Sequence, residues 1–356
     1  MTNRTPPVIA AIGTGMMGQL AHLANYARLR DDGACEIAGV TDLKRGLADA
    51  VAARYRVPRV YADADDLLAD PRVDAVACVQ QWPNNYALVH RILGAGKSVI
   101  TEKPMVGRVE EAEALSALAQ ARGVHYAVGF MKRYDRGVEL AKAVVDDARG
   151  GNDLGALLAV DAVCNGGDWL HNIEPPVRVD DATPPPPLRP SYPDACRTPA
   201  SRAAYEWLLN IFSHNVNLCH FLLGEEMTPR TARFHGDRAF AATLHAGDVL
   251  VTVRGVAGRA HDWREWATLT FERGEVRIDT PTPMNRQRSA AVAVLRGRDG
   301  RFATTHHHVP VDWAFFRQAG GFVGALAGTE PLRAPAAECV KDVRVMQRLI
   351  EIAEIA

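Results

Sequence analysis

The chain has 356 residues, is 47% hydrophobic and 23% charged, and carries a formal net charge of −1. A length of this order suggests two domains, each with a sizeable core. The charge balance gives no electrostatic case for nucleic acid or an anionic membrane surface, and no apolar run approaches the roughly eighteen residues of a membrane span.

The opening, MTNRTPPVIAAIG, has too short an apolar run before its glycines to read as a signal peptide, so a cytoplasmic location is expected. The cysteines, Cys35, Cys78, Cys164, Cys196, Cys219 and Cys339, form no C-x-x-C pair. Reduced, buried thiols are expected, with neither a zinc knuckle nor a redox dithiol.

Residues 8–12, VIAAI, read as a strand that ends in the turn GTGMMG, and the apolar spacing of QLAHLANYARLR predicts a helix behind it. CEIAGVTD predicts a second strand finishing at Asp42, followed by an Ala-rich helix over 43–55. A strand at 73–79, a helix at 85–94, the strand SVITE, a helix at 108–122 and the strand HYAVGF at 125–130 continue the alternation. Strands alternating with helices of this length imply a parallel sheet covered on both faces.

Beyond about residue 132 the pattern changes. A helix at 136–147 leads to LLAVDAVC, and RTARFHG, AFAATLHA, DVLVTVRG, EWATLTFE and GEVRID follow with gaps too short for crossover helices, which predicts an antiparallel sheet. Helices over 313–327 and 335–354 close the chain. The proline-dense stretch 174–200 excludes regular structure and reads as a long extended loop, either a lid or disordered. The expected division is 1–132 for dinucleotide binding and 133–356 for substrate binding and oligomerisation.

Gly13-Thr14-Gly15-Met16-Met17-Gly18 fits G-x-G-x-x-G, a weak pattern alone. Here it follows a strand, opens a helix, and is answered by Asp42 at the end of the next strand, which makes it a dinucleotide fingerprint. Gly13 permits the tight turn, Gly15 lets the backbone approach a pyrophosphate, and Gly18 allows helix and strand to pack closely, while the helix N-terminus offers amide donors. Asp42 accepts from ribose hydroxyls and repels a 2′-phosphate, favouring NAD over NADP. Lys44 and Arg45 lie near enough to pair with the extra phosphate if Asp42 turned away.

The strand SVITE ends on Glu102-Lys103-Pro104. Parallel strands deliver their carboxyl ends to the ligand crevice, so Lys103 falls where a nicotinamide would lie, and a Lys-Pro bond adopts cis readily enough to turn the chain there. An ammonium in that place stabilises developing alkoxide charge. On strand position alone, a solvated loop lysine paired with Glu102 reads equally well.

The G-x-G-x-x-G turn, AGKSVITEKP at 95–104, GFMKRYD at 129–135 and FRQAGGFVGALAGTEPLRA at 316–334 together resemble the glucose-fructose oxidoreductase / inositol dehydrogenase / rhizopine catabolism family. The resemblance implies an α/β chain: an N-terminal Rossmann domain, then a C-terminal α/β domain with a large open, mostly antiparallel sheet. It also implies bound NAD or NADP, a sugar or cyclitol substrate, homo-oligomers stacked through the exposed sheet face, and a Lys103 that orients substrate and nicotinamide.

Members commonly carry Asp-x-x-x-His-x-x-Asp on a helix of the second domain. The matching segment, WLLNIFSHNVNLCHFLLG at 207–224, keeps His214 but replaces both carboxylates by amides, Asn210 and Asn217. Asn210, His214 and Asn217 fall at i, i+4 and i+7, so all three are expected to share one helical face. A neutral amide orients the ring but does not raise its basicity as a carboxylate would. His214 is thus the expected proton-exchanging group, oriented by Asn210, with Asn217 contacting substrate or neighbouring helices.

Arg133 matches a family position near cofactor and substrate, or is a solvated arginine at the domain junction. Asp168, Trp169 and His171 in GGDWLH either line the sugar site or form a plain strand-to-loop turn. Trp82, Pro83 and Asn84 follow the third strand at its cofactor-facing end, where Trp82 packs on the cofactor or into the core. His306, His307 and His308 lack a spaced further ligand for a tetrahedral set, so no metal is expected. The function expected is NAD(H)-dependent interconversion of a secondary alcohol and a ketone on a sugar, cyclitol or glycoside. A redox-neutral epimerase or glycosidase, or a non-catalytic sugar sensor, stands as the alternative.

Overall fold

Five short strands, β1 Val8–Ile12, β2 Glu36–Thr41, β3 Ala75–Cys78, β4 Ser98–Glu102 and β5 Tyr126–Gly129, pair in parallel in the order β2-β1-β3-β4-β5. Their sequences are apolar without alternation and almost every residue is buried, as strands covered on both faces require. The covering helices are α1 Ala24–Asp31, α2 Arg45–Tyr55, α3 Ala64–Ala69, α4 Asn85–Gly94 and α5 Val109–Arg122. The short α3 carries too few apolar positions for a periodic signal; it is set by Asp63, whose side chain accepts from the Asp66 amide at 2.9 Å.

The computed structural model describes residues 5–151, 153–170, 173–184, 186–260 and 262–356. They fall into two compact units. The first joins the residues up to Phe130 with Glu174–Ser191 and Phe315–Val340; the second joins Met131–Ile173, Tyr192–Ala314 and Lys341–Ala356. The ranges 1–132 and 133–356 read from the sequence treat each domain as one continuous stretch, whereas two later segments return to the first unit. The reason is packing. The helix that follows α6 to α8 (below), spanning Ala314–Leu326, buries Ala319, Phe322 and Val323 against Leu23, Tyr26 and Val51 of the first core. Each large apolar side chain so buried contributes about 1.5–3 kcal/mol. The Ala334 carbonyl then accepts from the Val128 amide at 3.0 Å, alongside β5.

In the second unit α6 Arg136–Gly151 leads to β6 Leu157–Gly166, and α7 Pro199–Trp207 runs through a π-helical turn, Leu208–Phe212, into α8 Ser213–Leu223. Thr198 and Ser201 form a capping box that starts α7, which therefore begins inside the stretch read as loop. Strands β7 Thr228–His235, β8 Ala239–Ala246, β9 Val249–Gly258, β10 Arg264–Phe271, β11 Gly274–Thr280, β12 Ala291–Arg298, β13 Arg301–His307 and β14 Ala353–Ile355 complete one nine-stranded sheet with β6. Its order is β13-β12-β11-β10-β6-β9-β8-β7-β14, antiparallel except where β6 meets β9 and β14 meets β7. β9 alternates buried Val249, Val251 and Val253 with outward Leu250, Thr252 and Arg254, so one face is core and the other is open. The helix over Ala314–Leu326 is α9, and α10 Ala336–Glu351 precedes β14.

All six cysteines are free and buried, and burial pushes the Cys78 and Cys219 thiols up to about 12, which removes them as nucleophiles. Among the described residues no helix is long and apolar enough to cross a membrane.

Candidate active site

The first unit places the glycine turn at the carboxyl edge of its sheet. Gly13 has φ +91°, and a Cβ there would lie 2.0 Å from the Val79 carbonyl oxygen; a Cβ on Gly18 would lie 2.2 Å from the Gly13 oxygen. Both positions therefore require glycine. Gly15 is exposed, and a Cβ on it would meet no atom within 4 Å. That side chain would project into the space a pyrophosphate needs, so the turn fits the group. Thr14 is buried, Met16 and Met17 are half-buried, and helical structure starts at Met16, with a π-helical turn over Gly18–Leu23 feeding α1.

Asp42, at the end of β2, closes the turn from the other side. Its Oδ2 accepts from the Thr14 amide at 2.6 Å and the Thr14 hydroxyl at 2.9 Å, and its Oδ1 accepts from the Lys44 amide at 2.9 Å. A carboxylate offers about four acceptor positions, so Oδ1 retains capacity for a ribose hydroxyl. Asp42 thus organises the turn, a structural duty that its spacing in the sequence does not reveal.

Glu102 and Lys103 stand at the tip of β4, both half-buried, and the Lys103-Pro104 peptide is cis. Glu102 Oε1 lies 2.9 Å from Nε2 of His22, a residue of the π-helical turn that is only 1% exposed. That contact ties the glycine-turn helix to the β4 tip. It went unread because His22 looks like an ordinary helix residue. Trp82, Pro83 and Asn84 form a single 3-10 turn after β3, half-buried. Trp82 packs over Gly107, where an added Cβ would meet its ring at 2.7 Å.

The second unit treats its candidates differently. Arg133 is 4% exposed, so the solvated reading does not hold. Its Nε donates to Asn217 Oδ1 at 2.9 Å, and its guanidinium lies 5.4 Å from the Phe221 ring centre. The Asn217 amide donates in turn to Asp342 Oδ2 at 2.6 Å, and Asp342 Oδ1 holds His220 Nδ1 at 2.6 Å. Asn217 is 2% exposed and committed at both ends of its amide, to Arg133 and to Asp342 of the last helix, so of its two expected roles the contact with neighbouring elements is the one seen. The common face expected for Asn210, His214 and Asn217 also fails. The π-helical turn over Leu208–Phe212 inserts a residue into the α-helical phase, leaving Asn210 exposed, His214 half-buried and Asn217 in the core.

Asp168 is exposed; its Oδ1 accepts from the Leu170 amide at 3.0 Å, and its own amide donates to Ala260 at 3.2 Å. The Trp169 carbonyl accepts from the Thr282 hydroxyl at 3.3 Å. These bonds make the strand-to-loop turn, and His171 lies outside the described residues. A further buried cluster escaped the sequence reading. Lys132 pairs with Glu265, whose carboxylate also accepts from Asn215 at 3.2 Å and from the Trp263 indole at 3.0 Å. Glu265 also lines a cavity of about 300 Å³ with Trp266, Arg277, Asp279 and Arg288.

The chain is 33% identical over 141 residues to an inositol 2-dehydrogenase/D-chiro-inositol 3-dehydrogenase of Lacticaseibacillus casei, covering 39% of this chain and 40% of the relative. It is 34% identical over 153 residues to an inositol 2-dehydrogenase of Pseudomonas fluorescens, covering 41% and 43%. The chain therefore spans about two-fifths of the length of the curated relatives it matches. In fold it is similar over nearly its whole length to KijD10, a 3-ketoreductase from Actinomadura kijaniata solved with NADP and TDP-benzene. The TM-score is 0.74 at 17% identity, with 98% of each chain covered. The UDP-N-acetylglucosamine 3-dehydrogenase GnnA of Acidithiobacillus ferrooxidans gives a TM-score of 0.71 at 18% identity, covering 96% of this chain and 98% of the other. Residues 8–130 match the family model described as the oxidoreductase family, NAD-binding Rossmann fold, so it is this first segment that is similar to that family.

Proposed function

We propose that the protein is an NAD(H)-dependent oxidoreductase that interconverts a secondary alcohol and a ketone on a sugar, cyclitol or glycoside. The observation that carries the reading is the edge of the first sheet, where the glycine turn, Asp42 and the Lys103 tip of β4 are presented by strands β1, β2 and β4. The inositol dehydrogenase relatives support the substrate class. NAD is the proposed cofactor because Asp42 places a carboxylate where a 2′-phosphate would stand. When bound, the nicotinamide supplies hydride exchange at the carbinol carbon. Lys103 donates a hydrogen bond to the substrate oxygen and steadies alkoxide charge. His214 exchanges the hydroxyl proton. A homo-oligomer is proposed through the open sheet face, where β9 exposes Leu250 and Val256 by 41% and 43%.

The test follows nicotinamide absorbance while the purified protein meets NAD⁺ and a panel of cyclitols, free sugars and glycosides. Sustained NADH release on at least one polyol is expected. Bound dinucleotide with no net NADH from any of them points to the redox-neutral alternative, and failure to bind either dinucleotide sinks the reading. Asp42→Ala should weaken NAD⁺ about ten-fold and narrow the preference over NADP⁺, since it removes the ribose acceptor and frees the Thr14 and Lys44 amides together. An unchanged ratio of the two dissociation constants would remove Asp42 from cofactor selection.

A further inference from the structure

The proline-dense stretch expected to be a lid or disordered divides: its first part is fastened to the first unit. The Gln19 side chain donates to the Val177 carbonyl at 3.1 Å and accepts from the Val177 amide at 2.7 Å, a two-way amide pair immediately after the glycine turn. The same Gln19 amide donates to the Thr14 carbonyl at 2.8 Å, so the segment is fastened to the turn itself. Val177 also packs against the first core. Lys44, two residues past Asp42, donates its ammonium to the Asp181 carbonyl at 3.0 Å, and Arg54 of α2 pairs with Glu174. Asp181 Oδ2 lies 4.0 Å from the point a Cβ on Gly46 would occupy, beside the first turn of α2.

The Gln19 and Lys44 fastenings stand on the loops and helix starts that follow β1 and β2, the edge along which a dinucleotide lays its adenosine and pyrophosphate, while Arg54 holds Glu174 from the last turn of α2. Prolines at 175, 176, 184 hold the segment extended and lower the entropy lost in seating it. A second carboxylate thus joins Asp42 near the start of α2, while the one ammonium that follows Asp42 most closely is directed to a main-chain carbonyl.

We propose that residues 174–184 form the outer wall of the adenosine end of the dinucleotide site, fastened by Gln19 and Lys44, with Asp181 acting as a second selector against a 2′-phosphate. This rests on the dinucleotide reading above and deepens it: the wall slows cofactor release, and cofactor choice depends on a residue far along the chain from the fingerprint.

The experiment titrates the full chain with NAD⁺ and NADP⁺ by tryptophan fluorescence and follows NADH release by stopped flow, for the parent, Asp181→Asn and Gln19→Ala, each checked for native circular dichroism. Asp181→Asn keeps the carbonyl that receives Lys44 and should shift the NADP⁺-to-NAD⁺ affinity ratio about five-fold toward NADP⁺, the scale of one partly screened charge. Gln19→Ala should speed NADH release about ten-fold and raise its dissociation constant. A parent that binds neither dinucleotide defeats the site reading itself. A parent that binds, with both variants unchanged, defeats the wall alone. Tighter binding in Gln19→Ala also defeats it, because the segment would then be obstructing the cleft. If Gln19→Ala loses its native spectrum, the Asp181→Asn ratio decides.

Discussion

Lys103→Ala will lower kcat/KM by about 10²–10³-fold while leaving the NAD⁺ dissociation constant within a few-fold of the parent value. The size follows from the role proposed for this half-buried ammonium at the tip of β4, that of a charged donor acting on an oxygen whose negative charge grows only as hydride leaves. Such a contact is weak in the ground state, so the loss should fall mainly on kcat. Lys103→Arg keeps the charge but spreads it over a planar fork, and should recover only part of the rate. If the alanine variant loses NAD⁺ affinity as steeply as turnover, Lys103 holds the β4 tip in shape instead. If turnover is undiminished, the ammonium has no part in the chemistry. Stopped-flow hydride transfer on the best substrate of the panel, beside a fluorescence titration with NAD⁺, separates these outcomes.

The parallel half of the fold was legible because its signals are local. β1, the glycine turn, β2 and Asp42 lie within 35 consecutive positions, Val8 to Asp42, and each is answered by the next in chain order. The antiparallel strands β7 to β11 were legible for the same reason, through alternation and short gaps. What was not legible depended on partners far apart in sequence. Nothing near Gln19 announces Val177, and nothing near Arg133 announces Asn217 and Asp342. The helix at 199–223 shows a different limit: its apolar spacing is right, but one π-helical turn rotates everything beyond it, so residues aligned on paper end in different surroundings. The carboxylates that the family pattern places at 210 and 217 give way to amides for a visible reason at one of them. Asn217 must accept from Arg133 and donate to Asp342 at once, and a carboxylate has no donor to offer a second carboxylate.

Lys132 and Glu265 supply the largest stability effect. Both are nearly buried, 6% and 4% exposed, and the carboxylate collects the ammonium, the Asn215 amide and the Trp263 indole. Lys132→Met removes the cation paired with Glu265 and leaves this nearly buried carboxylate with two neutral hydrogen-bond donors. Breaking a buried pair from one side costs about 3–5 kcal/mol, against about 0–1 for the exposed Arg45–Asp49 pair of α2. The cost comes from an uncompensated charge more than from a lost contact, and this yields a sharper expectation. Adding Glu265→Gln to Lys132→Met removes the stranded charge and keeps an oxygen to receive Trp263 or Asn215, so the double variant should regain more than half of the loss. Urea unfolding of the parent, both single variants and the double variant completes the cycle, with the slope on denaturant checked for constancy. Strictly additive losses would mean the two side chains do not sense one another, and the cluster would then be held by its packing and its neutral hydrogen bonds. A strong coupling would identify this pair as the post that fixes the Met131–Tyr134 turn, and with it the backbone from which Arg133 reaches Asn217.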